Sequence, residues 1–476
     1  MSEKLGLISC LAYVVGGMIG SGLFIVPSNI LLHAGSAGLT LCLYVGGALF
    51  SILAALVYVE LGFRVQESGG GFAYLMHVGW KPLAVPFFWL GTFFTYPMFL
   101  AIQATALGQL LMKTLEKWVV LDDRGKRWSE WAMGNGILAL ITVLNLFSVR
   151  KAAARFQVAA TAFKLIVVVV IVALGCWHLL HSGLPAALKE PFANSTRVPF
   201  EVVLGLYSSL FCYSGWEVLS VTLGEVQNPK LTLPVACIGG ILIVCVVCLS
   251  MNVAYFAVID LADFANTSAV AVLFAAKTMG SVQLIVPSLI ALLICGNLNM
   301  TMFGASRYMQ AGAAKGALPS CIAYVHPRHG APRVAVLLQF ALAIGLSFVG
   351  NLGELIAYMS YAELLDRLSV QFAFLFMRYK GFPHPPSIYT NPLIIPVIFL
   401  VVCIALLLIP LYQDYRVAVL GLGAFGCSFL VYLLGIHFGL LERVHQLLLG
   451  CGASSRGQHR KQSIASVPSL EERSSL

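Results

Sequence analysis

Apolar runs of about 20 residues or more follow one another along nearly the whole chain, each closed by a short polar or charged segment. A bilayer core about 30 Å thick takes about 20 apolar residues per helix, so the alternation predicts twelve spans. They fall near residues 5–31, 35–61, 84–111, 132–148, 156–180, 199–223, 232–259, 281–305, 332–350, 352–378, 391–411 and 416–440. Two spans are interrupted. The first contains Gly16-Gly17-Met18-Ile19-Gly20-Ser21-Gly22-Leu23-Phe24, four glycines within seven residues, each weakening helix by about 1 kcal/mol relative to alanine. The sixth contains Phe211-Cys212-Tyr213-Ser214-Gly215-Trp216-Glu217, a Ser-Gly pair and a carboxylate at membrane depth.

A helix in hydrocarbon must satisfy its own backbone, and irregular backbone persists there only where it lines a cavity or is buried in protein. Taken alone, the glycines of the first span fit two readings: a broken helix, or a small-residue face for close helix packing. The second interruption, five spans later, favours broken helices at 16–22 and 212–217. An odd number of helices per repeat inverts the second copy, and paired interruptions in two halves point to a transporter's binding site. Half-helix N–H ends suit an anionic group and C=O ends a cationic one. A zwitterion carrying both on one carbon, an α-amino acid, fits that arrangement.

Composition agrees: 59% of residues are hydrophobic and 10% charged. The chain reads as an all-α polytopic membrane protein with the lipid bilayer as its surroundings. A net charge of +9 does not indicate nucleic acid here, because the basic residues bracket spans. Roughly twice as many Lys and Arg fall on one side as on the other, which predicts cytoplasmic N- and C-termini. The first span is too long, and lacks a small-residue cleavage site, to be a removable signal. Residues 1–4 are expected to form a short inner N-terminus and the Ser- and charge-rich segment 441–476 a disordered cytoplasmic tail. Sequons at Asn194 and Asn266 fall in expected outer loops and are glycosylation candidates.

The twelve cysteines lie mostly within apolar runs and do not suggest a disulfide framework. Cys245 and Cys248, a CxxC inside the seventh span, read as helix-lining residues. No metal or cofactor site is expected: His326 and His329 beside Pro327 are only two ligands. Nor do nucleophile and base residues converge as an enzyme requires. A channel or receptor would show a filter loop or a seven-span count.

Three further matches extend the pattern: Glu60-Leu61-Gly62 followed by Glu67-Ser68-Gly69-Gly70, Gly215-Trp216 followed by Glu225 and Asn228-Pro229, and Ala305-Ser306-Arg307 followed by Leu318-Pro319-Ser320. With Ile19-Gly20-Ser21-Gly22-Leu23-Phe24 and Pro27, their order and spacing resemble the L-type amino acid transporters, light subunits of the heteromeric amino acid transporters, over about residues 4–440. The resemblance implies a LeuT-like fold: a first five-helix repeat at 5–180, an inverted repeat at 199–378, and two C-terminal helices at 391–440. It implies sodium-independent antiport of amino acids by alternating access, in a multi-pass protein of the plasma membrane. By position, amides of Gly20, Ser21 and Gly22 would hold the substrate carboxylate, and carbonyls around Met18, Ile19, Phe211 and Ser214 its ammonium. Phe211 would be the outer aromatic gate.

Lys164, deep in the fifth span, carries a charge that insertion scales penalise by about 2.5–3.5 kcal/mol. It either snorkels or, as the resemblance implies, replaces a sodium ion by bridging the fifth span to the unwound first helix. Three features depart from the family. Residues 113–131 contain no cysteine, so a heavy-chain glycoprotein subunit could pair only non-covalently there. Glu217 stands where relatives often have Asn, and Tyr361-Ala362-Glu363-Leu364-Leu365-Asp366-Arg367 puts three charges in the tenth span. Glu363 and Arg367 share a helix face. They form either an internal ion pair with a spare carboxylate, or a site where Glu363 or Glu217 meets a substrate side chain or carries a proton. The charges also leave open a divergent, non-transporting or proton-coupled member.

Overall fold

The computed structural model describes residues 5–67, 69–115, 122–147, 150–221, 223–267, 270–280, 286–326, 330–348, 352–382, 390–413 and 415–437. The inner N-terminus at 1–4, His329 and the tail from 441 lie outside these. Within them the chain is helical, with one β-bridge, Leu5 to Val226.

The interrupted first span is three helices: α1 (Leu7–Met18), α2 (Ser21–Ile25) and α3 (Pro27–Ala34). Then follow α4 (Ala37–Val65), α5 (Gly70–His77) and α6 (Lys81–Leu90), which runs through a π-helical turn, Gly91–Thr95, into α7 (Tyr96–Leu115). Next come α8 (Asp123–Phe147), α9 (Arg150–Ser182) and the short α10 (Ala186–Lys189). The sixth span is α11 (Pro199–Cys212) and α12 (Val218–Val221). It is followed by α13 (Pro229–Val258), α14 (Leu261–Asn266), α15 (Val270–Thr278) and α16 (Val286–Ala314). The last four are α17 (Arg333–Leu346), α18 (Leu352–Tyr379), α19 (Ile394–Gln413) and α20 (Tyr415–His437).

Eight helical stretches among the described residues are long and apolar enough to cross a membrane, and α1, α11 and α17 are shorter apolar helices. Large side chains such as Ile166, Val169 and Trp177 on α9, or Val401 on α19, point outward and exposed. That is the surface lipid requires. Of the loop expected at 113–131, residues 113–115 belong to α7 and 123–131 to α8, and the expected eighth span shifts to α16.

The α4 helix, 29 residues and hence about 43 Å long, defines two ends of the bundle. At its start, the Gly38 N–H donates to the Pro191 carbonyl at 2.5 Å and the Thr196 N–H to the Ala34 carbonyl at 2.9 Å. At its finish, Gly62 packs on Leu233 and Leu223, near where the Gly69 N–H reaches the Val221 carbonyl and the Gln227 N–H the Leu5 carbonyl. These are called the Gly35 end and the Leu5 end.

Near the Leu5 end, the carboxylate of Glu60 is fully buried. Its Oε1 accepts from Arg64 at 2.8 and 3.0 Å and from Arg378 Nε at 3.1 Å. Its Oε2 accepts from Arg378 Nη2 at 2.6 Å and from the Asn391 N–H and Nδ2 at 2.8 and 3.0 Å. One side chain thus ties α4 to the end of α18 and the approach to α19. A buried charge without partners is costly. Glu60→Ala leaves two guanidinium groups short of a partner and is expected to destabilise the protein by about 3–5 kcal/mol, read as a large drop in melting temperature in detergent; Glu60→Gln should lose less.

Candidate functional site

In the first span, α1 runs through Gly16 and Gly17 and ends at Met18; only Ile19 and Gly20 leave the helix before α2. The break is therefore narrower than 16–22. Gly17 and Gly22 are glycine for close approach. A Cβ on Gly17 would lie 2.4 Å from Met300 Cε, and one on Gly22 2.8 Å from the Cys212 backbone. A Cβ on Gly20 would lie 2.2 Å from Asn297 Nδ2. The first two N–H groups of α2, of Ser21 and Gly22, have no carbonyl four residues back inside that helix. In the sixth span, α11 ends at Cys212, and residues 213–217 turn before α12 resumes. Gly215 there has φ +115°, a conformation L side chains rarely adopt. Gly215 lies against Gly17, so the two interruptions are side by side.

A cavity of about 140 Å³ opens beside the second interruption. Ser214, Gly215 and Glu217 line it from the turn, Thr95, Tyr96 and Phe99 from the third span, Met300, Thr301 and Tyr308 from α16, and Glu363, Asp366 and Arg367 from α18. Its walls continue to Gly70, Gly71 and Val221 at the Leu5 end. Of the residues expected to bind substrate, Ser214, Glu217 and Glu363 line the cavity. Met18, Ile19, Gly20, Ser21, Gly22 and Phe211 do not: Asn297 covers Gly20, and Met300 stands between Gly17 and the cavity. Phe211 is buried and stacks on Phe99, ring centroids 5.0 Å apart.

The α18 charges are resolved by a long-range pairing that sequence could not give. Arg367, 4% exposed, donates through Nη2 to Glu217 Oε1 and lies 3.6 Å from Glu363 Oε2. Glu217 Oε2 in turn accepts the Gly215 N–H at 3.1 Å, so a carboxylate satisfies a backbone donor freed by the turn. The Ser214 hydroxyl lies 3.4 Å from Glu363 Oε2 and 3.3 Å from the Leu210 carbonyl. The guanidinium carbon also sits 5.8 Å from the Trp216 ring centre. Arg367 therefore knits α18 to the broken sixth span.

Lys164 is fully buried, and its Nζ donates to the Gly16 carbonyl at 2.7 Å, two residues before α1 ends. One turn earlier on α9, the Thr161 hydroxyl donates to the Ala12 carbonyl at 2.9 Å. Asn194 and Asn266 are both exposed; Asn194 packs beside Gly35, and Asn266 closes α14, which packs on α3. Residue 268 of the second sequon lies outside the described residues.

The π-helical turn escaped the sequence reading, although Pro97 is its signal. A proline there cannot donate to the carbonyl four residues back, and the ladder widens just before it: the Tyr96 N–H goes to the Gly91 carbonyl, five residues back. The Thr92 carbonyl, left without that donor, accepts Gln339 Nε2 from α17 at 3.0 Å. The widened turn puts Gly91, Thr95 and Tyr96 on the cavity wall.

An all-helical bundle with outward apolar faces and two adjoining broken spans defines a multi-span membrane protein built around an internal cavity. Residues 5–432 match the family model described as amino acid permease. The chain is 34% identical to amino acid transporter protein 6 of Caenorhabditis elegans over 93% of its own length and 84% of that protein. It is 29% identical to the human cystine/glutamate transporter over 87% and 81%. With the human large neutral amino acids transporter small subunit 2 the identity is 28%, over 92% and 81%. The chain belongs to the amino acid permease family and is an amino acid transporter of the membrane, not an enzyme.

Replacing Gln339 by Leu leaves the Thr92 carbonyl buried without a donor, a loss of about 1–3 kcal/mol. We expect lowered thermal stability in detergent, and a straightened turn in a structure of the variant.

Proposed function

We propose that this transporter is a sodium-independent amino acid exchanger working by alternating access. The observation that carries the reading is the contact between the two broken spans, Gly17 against Gly215, beside a cavity whose lining residues among those described reach only the Leu5 end. Such paired half-helices form the central site of inverted-repeat transporters. We read the chain as twelve spans in a LeuT-like arrangement, with repeats at 5–180 and 199–378 and two further helices at 391–440. The amides of Gly20, Ser21 and Gly22 hold the substrate carboxylate. Carbonyls of Met18, Ile19, Phe211 and Ser214 take its ammonium. Asn297 covers Gly20, so substrate reaches that amide only when this side chain swings aside. Phe211, stacked on Phe99, is the gate toward the Gly35 end.

We take the Leu5 end as cytoplasmic and the membrane as the plasma membrane. Support for the orientation is that both exposed sequons sit toward the opposite end, while Arg64, Lys315 and Arg378 gather near the Leu5 end. The arrangement is then inward-open. Lys164 supplies a fixed positive charge where a coupled carrier would bind sodium, and its bond to the Gly16 carbonyl holds the first break. A heavy subunit, where one is present, pairs without a disulfide at 113–131.

Proteoliposomes holding this chain alone test the reading. Labelled amino acid should enter vesicles preloaded with unlabelled amino acid at least about tenfold faster than empty ones, at a rate unchanged when choline replaces sodium. Equal uptake by empty vesicles would make it a uniporter, and dependence on a pH gradient a proton-coupled carrier. Lys164→Ala should abolish exchange while the purified protein remains monodisperse; wild-type exchange by that variant would remove the role given to Lys164.

A further inference from the structure

The cavity holds three carboxylates and one guanidinium, a formal charge of minus two. Arg367 engages Glu217 and Glu363. Asp366 has no hydrogen bond or ion pair among the described residues. Its carboxylate faces the first turn of α5: a Cβ on Gly71 would lie 3.3 Å from Oδ2, and the positive end of that eight-residue helix favours the anion. Two polar groups on the same wall are buried beyond nine-tenths and likewise lack a hydrogen-bond partner among the described residues. They are the side chains of Tyr58, 4% exposed, and Tyr308, 7% exposed, both of which line the cavity. Both tyrosines, with Tyr96 and the Arg367 guanidinium, lie within electrostatic reach of Asp366, although Arg367 makes its contacts with Glu217 and Glu363.

Resting on the exchanger reading, we propose that Asp366, with the Tyr58 and Tyr308 hydroxyls, is the side-chain subsite of this transporter and selects amino acids whose side chain ends in a cation. An ammonium or guanidinium supplies several N–H donors and no acceptor. It therefore meets a carboxylate and phenolic oxygens together, and the tyrosine rings add cation–π attraction. Asp366 stands one turn beyond Glu363 on α18, toward the Leu5 end, and Glu363 touches Ser214 of the broken span. That rise, about 4.5 Å, is one that the stem of a lysyl or arginyl side chain covers when the α-carbon groups lie at the breaks. A neutral side chain of equal length leaves Asp366 without a contact partner. Selection thus falls to Asp366 rather than to Glu363 or Glu217, which Arg367 contacts directly.

The test is equilibrium binding of labelled L-lysine and L-norleucine, alike in length but for the ammonium, to the purified full chain in detergent. Wild type should prefer lysine at least about tenfold, the effect of one charged hydrogen bond. Asp366→Asn should abolish that preference, Asp366→Glu should keep it, and Tyr308→Phe should reduce it severalfold. Equal wild-type affinity for the two ligands overturns the proposal, as does a preference that survives Asp366→Asn. If Asp366→Asn does not fold, the wild-type ratio and Tyr308→Phe decide. Exchange by preloaded vesicles is measured in parallel. Selective lysine binding without exchange removes the exchanger reading and leaves the subsite; exchange without lysine preference does the reverse.

Discussion

Every backbone group at membrane depth needs a partner from the protein, and this structure can be understood as the consequence of that constraint. At two departures from the helical ladder a side chain supplies the missing bond: Gln339, from α17, serves the Thr92 carbonyl, and Glu217, within the turn itself, serves the Gly215 N–H. The same kind of bond ties intact helices together: Lys164 to the Gly16 carbonyl, Tyr207 to Leu406, Gln371 to Pro396 and Ser209 to Leu43. Water would compete for these carbonyls in a soluble protein. In lipid such bonds fix which helices are neighbours, because hydrophobic attraction between helices is weak there.

The broken spans show how far sequence carries this logic. The Ser-Gly pair of the sixth span lies in the turn, where Gly215 takes a backbone angle that L side chains rarely adopt. The glycines of the first span mark a region but not a break. Gly16 and Gly17 remain helical, and Gly17 and Gly22 are small because Met300 and Cys212 press against them. The stretch holds a two-residue break and close packing together, and only the neighbours across the bundle separate the two roles. The π-turn was legible through Pro97, but Gln339, which makes it tolerable, lies some 240 residues away. Glu60 belonged to a short pattern visible in the chain, yet its partners Arg378 and Asn391 are more than 300 residues distant.

The charged run in α18 carries the same lesson for the site. Spacing pairs Glu363 with Arg367 along one helix, and that contact exists at 3.6 Å. The closer partner is Glu217, on a different span. A buried guanidinium shared between two carboxylates stabilises little in itself, because desolvation offsets much of the attraction. What it does is orient: it anchors the turn of the sixth span to α18 and leaves Asp366 as the carboxylate without a fixed partner.

The Leu5–Val226 bridge has a mechanical consequence. It joins the chain just ahead of α1 to the segment just after α12, with the Gln227 N–H held by the Leu5 carbonyl at 2.8 Å. The halves of the two broken spans that face this end are thereby joined directly through the backbone, with no other helix between them.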